Sequence, residues 1–169
     1  DVINVAEVES CQMLSRCAAA LNQQNGMPST WHAPHPAFEY FMLPGTDTFT
    51  RQQVGLLTRL SPLSPLERTS ARESYPLKSS GCGALSTNHS SGISKHYMAR
   101  LRLDLPGKSG ATLAVLGLHL KAFPTSPKAC HQREAQAAVA ASLLAQALDE
   151  TDYVVALGDI NDFDGDECC

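Results

Sequence analysis

The run Ala99-Arg100-Leu101-Arg102-Leu103-Asp104-Leu105 places apolar and charged residues in strict alternation, the period of two that marks a strand with one face buried and one in water. Pro106-Gly107-Lys108-Ser109-Gly110 supplies turn residues, and residues 112–118 are then apolar at every position but Thr112 and Gly117. A strand with no polar face belongs inside a sheet, so the pair is expected to form an antiparallel hairpin whose second strand is central. Downstream, residues 128–148 are rich in Ala and Gln, with Val139, Leu143, Leu144 and Leu148 on the expected inner face of a helix. Tyr153-Val154-Val155-Ala156-Leu157 reads as another buried strand, broken by Gly158. Upstream, residues 2–8 are nearly continuous in apolar and β-branched residues, the pattern of a strand covered on both faces. Ser10 caps a helix with Cys11, Leu14, Cys17 and Leu21 on one side, ending near Asn25-Gly26. Residues 53–59 read as a strand, 27–50 as an irregular connection, and the Ser-, Pro- and Gly-rich residues 61–93 as a long loop. Strands with helices between them in this order predict an α/β or α+β sheet protein.

The 169 residues suit one domain, and a hydrophobic content of 43% is enough for a sizeable core. No apolar run approaches the about 18–20 residues that a membrane-spanning helix needs. The chain opens at Asp1 inside an apolar run and closes on Cys168-Cys169 behind an acidic stretch, so it is expected to be a piece of a longer protein. Net charge is −4, which argues against nucleic acid, but residues 51–102 carry eight Lys and Arg against Glu67 and Glu73. A basic middle between two acidic segments can hold a polyanion over a cation-binding floor. Among the six cysteines only Cys82 and Cys130 have spacing suited to a disulfide, and the sequence does not demand one.

Three polar positions share one habit: each lies where a strand runs out. Glu7 ends the first strand, His119 the second strand of the hairpin, and Asp159 with Asn161 the last. A rigid sheet fixes such groups while the neighbouring loops admit substrate. A carboxylate for a hard divalent cation, a His for a phosphate oxygen and an Asp/Asn pair to orient water form a set suited to metal-assisted phosphoester cleavage. Other constellations carry less. His32-Ala33-Pro34-His35 sits in a Pro-rich surface loop, Asp162 to Glu167 lacks the glycine register of a calcium loop, and Gly81-Cys82-Gly83 has no following helix to make it a phosphate cradle. Arg133 and Glu134 read as a solvated or ion-paired helix face, and Cys130 has no partner base.

These residues resemble the motifs of the endonuclease/exonuclease/phosphatase superfamily, the deoxyribonuclease I-like class. Asp1-Val2-Ile3-Asn4-Val5-Ala6-Glu7-Val8-Glu9 resembles its first metal-ligand motif, Gly117-Leu118-His119-Leu120-Lys121-Ala122 its strand-borne His motif, and Gly158-Asp159-Ile160-Asn161-Asp162-Phe163 its Gly-Asp-x-Asn motif, in the same order. Residues 53–59 resemble the family strand that ends in Ser/Thr-Arg. The resemblance implies an incomplete deoxyribonuclease I-like domain over residues 1–169, a two-sheet sandwich flanked by helices. It implies hydrolysis of phosphoesters with Mg²⁺, or Mn²⁺ or Ca²⁺ in its place. Glu7 would bind the metal, His119 would contact the scissile phosphate, Asp159 and Asn161 would position nucleophile and phosphate, and Lys95 would bind phosphate. The expected partner is nucleic acid or another phosphoester substrate.

Ala6 stands where many relatives have Gln, and the Asp-His pair that usually closes the family's site has no counterpart after Asn161. Two rivals to a nuclease follow. One is a sphingomyelinase-like or inositol-phosphate phosphoesterase, for which Trp31, Phe38, Tyr40 and Phe41 offer apolar surface. The other is a non-catalytic phosphate- or nucleic-acid-binding module.

Overall fold

The computed structural model describes residues 2–24, 36–46 and 50–162. Ten elements follow in order: β1 (Val2–Val8), α1 (Cys11–Gln24), β2 (Glu39–Met42), β3 (Gln53–Thr58), β4 (Glu73–Tyr75), β5 (His89–Ser91), β6 (Lys95–Leu105), β7 (Lys108–His119), α2 (Pro127–Glu150) and β8 (Tyr153–Asp159). One sheet has the order β1-β3-β2, a second β6-β7-β8, and β4 pairs with β5. The chain is therefore mixed α/β. The expected hairpin is β6–β7, antiparallel with β7 central, and α2 carries the chain over to β8, parallel to β7.

Alternation along the strands sorts the side chains into layers. Val54 and Leu56 of β3 share a core with Tyr97, Ala99 and Leu101 of β6 and Val115 of β7, so the two larger sheets face each other. Met98, Ala114, Leu116 and Leu118 point the other way, against Val139, Ala140 and Ala147 of α2. Leu57 of β3 likewise points outward, against Leu14 and Ala18 of α1. A β-strand gives each face every second residue, so buried runs on β3, β6 and β7 require cover on both sides, and the two helices supply it.

Several sequence expectations need correction. Among the described residues, strand β1 is an edge strand with only Val8 fully buried, because its one neighbour there is β3. Strand β8 is also an edge, half exposed, and Gly158 continues it rather than breaking it. In α1 the inward residues are Leu14, Ala18 and Leu21, spaced i, i+4, i+7, whereas Cys11 and Cys17 are exposed. Leu148 of α2 faces solvent. Residues 39–42, read as irregular, pair with β3.

Residues 61–93 are tied down. The N–H groups of Leu63 and Glu67 donate to the carbonyls of Arg100 and Met98, and those of Arg102 and Met98 donate to Ser61 and Glu67 (2.8–3.0 Å). This proline-interrupted segment lies along the open edge of β6 and blunts it. His96 adds a side-chain tie, its Nε2 accepting from the Thr69 N–H at 3.0 Å. Farther on, a Cys82–Cys130 disulfide joins the segment to α2. Closing the 48-residue separation between them restricts the unfolded chain by about 4 kcal/mol on a chain-entropy basis.

Gly117 is where the sheets come closest. A Cβ there would meet Tyr97 Cζ at 2.2 Å and Asn4 Oδ1 at 2.5 Å, and the space it leaves lets the Tyr97 hydroxyl donate to Asn4 Oδ1 at 2.9 Å. Burial pushes the Tyr97 phenol well above its ordinary pKa, so it remains a donor. Gly117→Ala is expected to destabilise the fold by about 3 kcal/mol, read from the midpoint of chemical denaturation. Burial, with the nearby Arg68 cation, lowers the pKa of His96 below its ordinary 6.5. The unfolded chain then binds the extra proton first, so stability rises with pH between the folded and unfolded values and is lost as pH falls through about 6.5. Denaturation midpoints should fall between pH 7.5 and 5.5, and His96→Gln should flatten that slope.

Candidate functional site

The register of the second sheet brings three of the sequence candidates into one row. Lys95 pairs with His119 across β6 and β7, and His119 pairs with Asp159 across β7 and β8. Directly paired residues point to the same face. Lys95 shares its parity with Tyr97 and Ala99, and His119 with Val115, so the row faces the space between the sheets. At the far end of the same pairing, Asp152 Oδ2 accepts from both the N–H and the hydroxyl of Thr112, at 2.9 and 3.0 Å. The Lys108 ammonium and these hydrogen bonds hold the Asp152 carboxyl at about 2, so the anchor persists well into acid. The register of β8 on β7, and with it the His119–Asp159 alignment, is pinned there.

Glu7 reaches the same end of the sandwich by a different route. Asn4 lies over the Tyr97–Gly117 row, and Ala6 shares an open cleft of about 630 Å³ with Asp159, two residues further along both strands. Strand β1 therefore runs toward the Lys95–His119–Asp159 row, and Glu7 follows Ala6. The β1–β3 register shifts between Val5 and Val8, which leaves one extra residue on β1. Glu7 takes the strain, in the left-handed region at φ 59°, with an exposed carboxylate. A bulge that re-aims a side chain at the cost of about 1–3 kcal/mol of backbone strain is a mark of functional positions.

His119 is buried, with Nε2 3.9 Å from Asp159 Oδ2 and Nδ1 without a hydrogen-bond partner among the described residues. That separation is too long for a direct hydrogen bond, and a single oxygen lying beside the pair could bond to both groups. Asp159 Oδ1 accepts from the Asn161 N–H at 2.8 Å, an Asx turn. Asn161 stands at φ 52° and donates from Nδ2 to the Leu120 carbonyl at 3.1 Å, so its amide first of all positions the loop. Lys95 is buried at the start of β6 and donates from Nζ to Thr50 Oγ1 at 2.8 Å. Lys95, His119, Lys121 and Phe123 line a cavity of about 590 Å³. Phe123 is exposed at φ 72° with the Lys121 ammonium 5.1 Å from its ring centre.

Sequence reading missed the residues that hold the loops. Arg133, read as part of a solvated or ion-paired face, is buried; its guanidinium donates to the carbonyls of Lys121, Phe123 and Pro124 and pairs with Asp162 at 3.1 Å. Gln136 accepts from the Lys121 N–H and donates to the Gly92 carbonyl. The signal available was position: both lie on the α2 face that looks over the ends of β7 and β8. The basic middle of the chain is not one stripe, since Arg100 is paired with Glu67 and Glu150 and Arg72 bonds Ser90. The Gly81 N–H donates to Glu134, which disposes of the phosphate-cradle reading. His32, His35, Trp31 and residues 163–167 lie outside the described residues.

Searches against protein-family models and against curated proteins return no match for this chain.

Arg133→Met removes a buried guanidinium that donates to three carbonyls and is expected to cost about 2–3 kcal/mol. Asp162→Asn, at an exposed partner, should cost much less. Chemical denaturation of the two variants checks that order.

Proposed function

We propose that the chain is a divalent-metal-dependent phosphoesterase of the endonuclease/exonuclease/phosphatase superfamily, with a deoxyribonuclease I-like four-layer fold, and that it cleaves phosphodiester bonds in nucleic acid. The observation that carries the reading is the single row Lys95–His119–Asp159, facing between two sheets at the end where the bulged Glu7 stands. The helix–sheet–sheet–helix layering supports the same assignment.

The residues divide the work by charge. Lys95 offers positive charge, and His119 a ring N–H donor, to the nonbridging oxygens of a phosphate, where charge grows in the transition state. Asp159, held through Oδ1 by the loop, keeps Oδ2 toward His119 and orients a water for in-line attack. Asn161 sets the turn that aims Asp159 and keeps a second amide proton for the phosphate. Glu7 fits a hard cation: its carboxylate is exposed and has no ion-pair partner among the described residues, and Mg²⁺ is commonly held by one or two carboxylates with several waters. When bound, such a cation would neutralise charge on the phosphate and lower the pKa of a bound water.

Substrate preference rests on the rim. Phe123 beside Lys121 sets a flat ring next to a cation, a surface suited to a base on a phosphate chain. Of the described residues offered for a lipid, Phe38 is buried beneath Arg59, Phe41 is half-buried and Tyr40 is exposed. The disulfide suits an oxidising compartment.

Hydrolysis of DNA and RNA should appear with Mg²⁺ or Mn²⁺, vanish with chelator, and weaken steeply with added salt. Glu7→Gln should lower the rate at least about 100-fold, a fraction of the several kcal/mol that a metal supplies. Undiminished hydrolysis by that variant contradicts the metal assignment, and salt-insensitive cleavage of a lipid or inositol phosphate in place of nucleic acid contradicts the substrate.

A further inference from the structure

A second cluster of ligand-type side chains lies where residues 80–83 meet α2. Cys82, His131 and Glu134 each place one potential ligand atom within 4.8 Å of the others. His131 is fully buried, and its Nε2 lies 2.6 Å from the Gly83 carbonyl oxygen. A carbonyl only accepts, so Nε2 carries the proton and Nδ1 of the neutral ring keeps its lone pair. That Nδ1 lies 3.6 Å from Glu134 Oε2 and 3.0 Å from the Ser80 hydroxyl. Glu134 is oriented by the Gly81 N–H, which donates to Oε1 at 2.8 Å, while Oε2 is buried with no hydrogen-bond partner among the described residues. A ring nitrogen fixed through its far N–H and a carboxylate fixed through its other oxygen are the supports that metal ligands ordinarily have. An unpartnered buried carboxylate oxygen is costly unless something positive reaches it.

What closes the site is the bond between Cys82 and Cys130. A sulfur in a disulfide is a poor ligand, while a thiolate is a strong one. The geometry points to a redox-gated zinc site: with the disulfide reduced, Cys82, His131 and Glu134 bind Zn²⁺, and Cys130, whose Cα lies 5.8 Å from that of Cys82, completes a tetrahedral set. A dithiol supplies the two electrons, being oxidised to its own disulfide as Cys82 and Cys130 become thiols. The cation then displaces the thiol protons into solvent, and at Nδ1 it replaces the hydrogen bond from Ser80. Sulfur, nitrogen and oxygen donors together select zinc over Mg²⁺ or Ca²⁺. Access is open, because Gly81, Cys130 and Glu134 line a cavity of about 610 Å³. Either the covalent bond or the ion then ties the same segment to α2, so the anchor survives a change of redox state.

The test uses the full chain with Cys11, Cys17, Cys168 and Cys169 replaced by Ser, so that only Cys82 and Cys130 remain. Zinc is titrated against a chromophoric chelator into the oxidised and the dithiol-reduced protein. Co²⁺ is added in parallel to read thiolate-to-metal charge transfer and the visible bands of tetrahedral coordination. One equivalent is expected to bind the reduced chain at least about 100-fold more tightly than the oxidised chain. Cys130→Ser should bind without any reductant. Glu134→Gln, at a partly exposed residue, should keep the fold and bind about 10–100-fold more weakly. Equal affinity in both redox states, absence of the charge-transfer band, or unchanged affinity in Glu134→Gln overturns the proposal. None of these readings depends on phosphoester hydrolysis.

Discussion

Strand β7 is hydrogen-bonded along both edges, to β6 on one side and β8 on the other, and its last residue is His119. A strand paired on both sides cannot slip by one residue without turning its buried set toward the wrong face. The antiparallel pairing fixes Lys95 beside His119, the parallel pairing fixes Asp159 on its other side, and no loop is asked to bring the three together. Gly117, two residues earlier, lets Tyr97 reach Asn4 and so aligns β1 over the same row. The placement of Glu7 follows from that contact and from the bulge after it.

What the sheets leave undetermined is the course of the chain once it leaves them. Helix α2 answers that with two polar side chains. Arg133 gathers the carbonyls of residues 121, 123 and 124 with Asp162, and Gln136 joins Lys121 to Gly92. The loops after β7 and β8 are thereby held by one buried helix face. Glu7, Phe123 and Asn161, three of the four left-handed non-glycine residues among those described, fall at this end of the molecule. Strain of that kind persists only where surrounding packing over-determines the backbone, and here the packing is the sheet register and the Arg133 clasp.

Much of this was legible in the residues. Strict alternation over 99–105 and the apolar run over 112–118 described the hairpin and its central strand, because period and polarity depend only on which faces are covered. The same logic misread β1 and β8: an apolar run signals burial, but whether a strand is an edge depends on partners far away in sequence. The segment 61–93 looked like a free loop because its prolines and serines erase periodicity, yet its ties go to backbone atoms of β6, which composition does not record. The strand-end positions of Glu7, His119, Asp159 and Asn161 were visible as motifs. Their alignment was not, since it rests on register. The ion-paired alternative for Arg133 holds through Asp162, but its burial is not legible in the sequence, since a charged residue on an Ala-rich helix is usually solvated and only the convergence of three carbonyls makes burial tolerable.

In the proposed phosphoesterase, Glu7 and the His119–Asp159 row form one cation-dependent centre. Amide resonances followed during a titration with Mn²⁺ address that most directly, because paramagnetic broadening falls off steeply with distance from the ion. Broadening is expected first at Ala6, Glu7, His119 and residues 159–161, competed away by excess Mg²⁺. Broadening that begins elsewhere and leaves these residues sharp would contradict that centre.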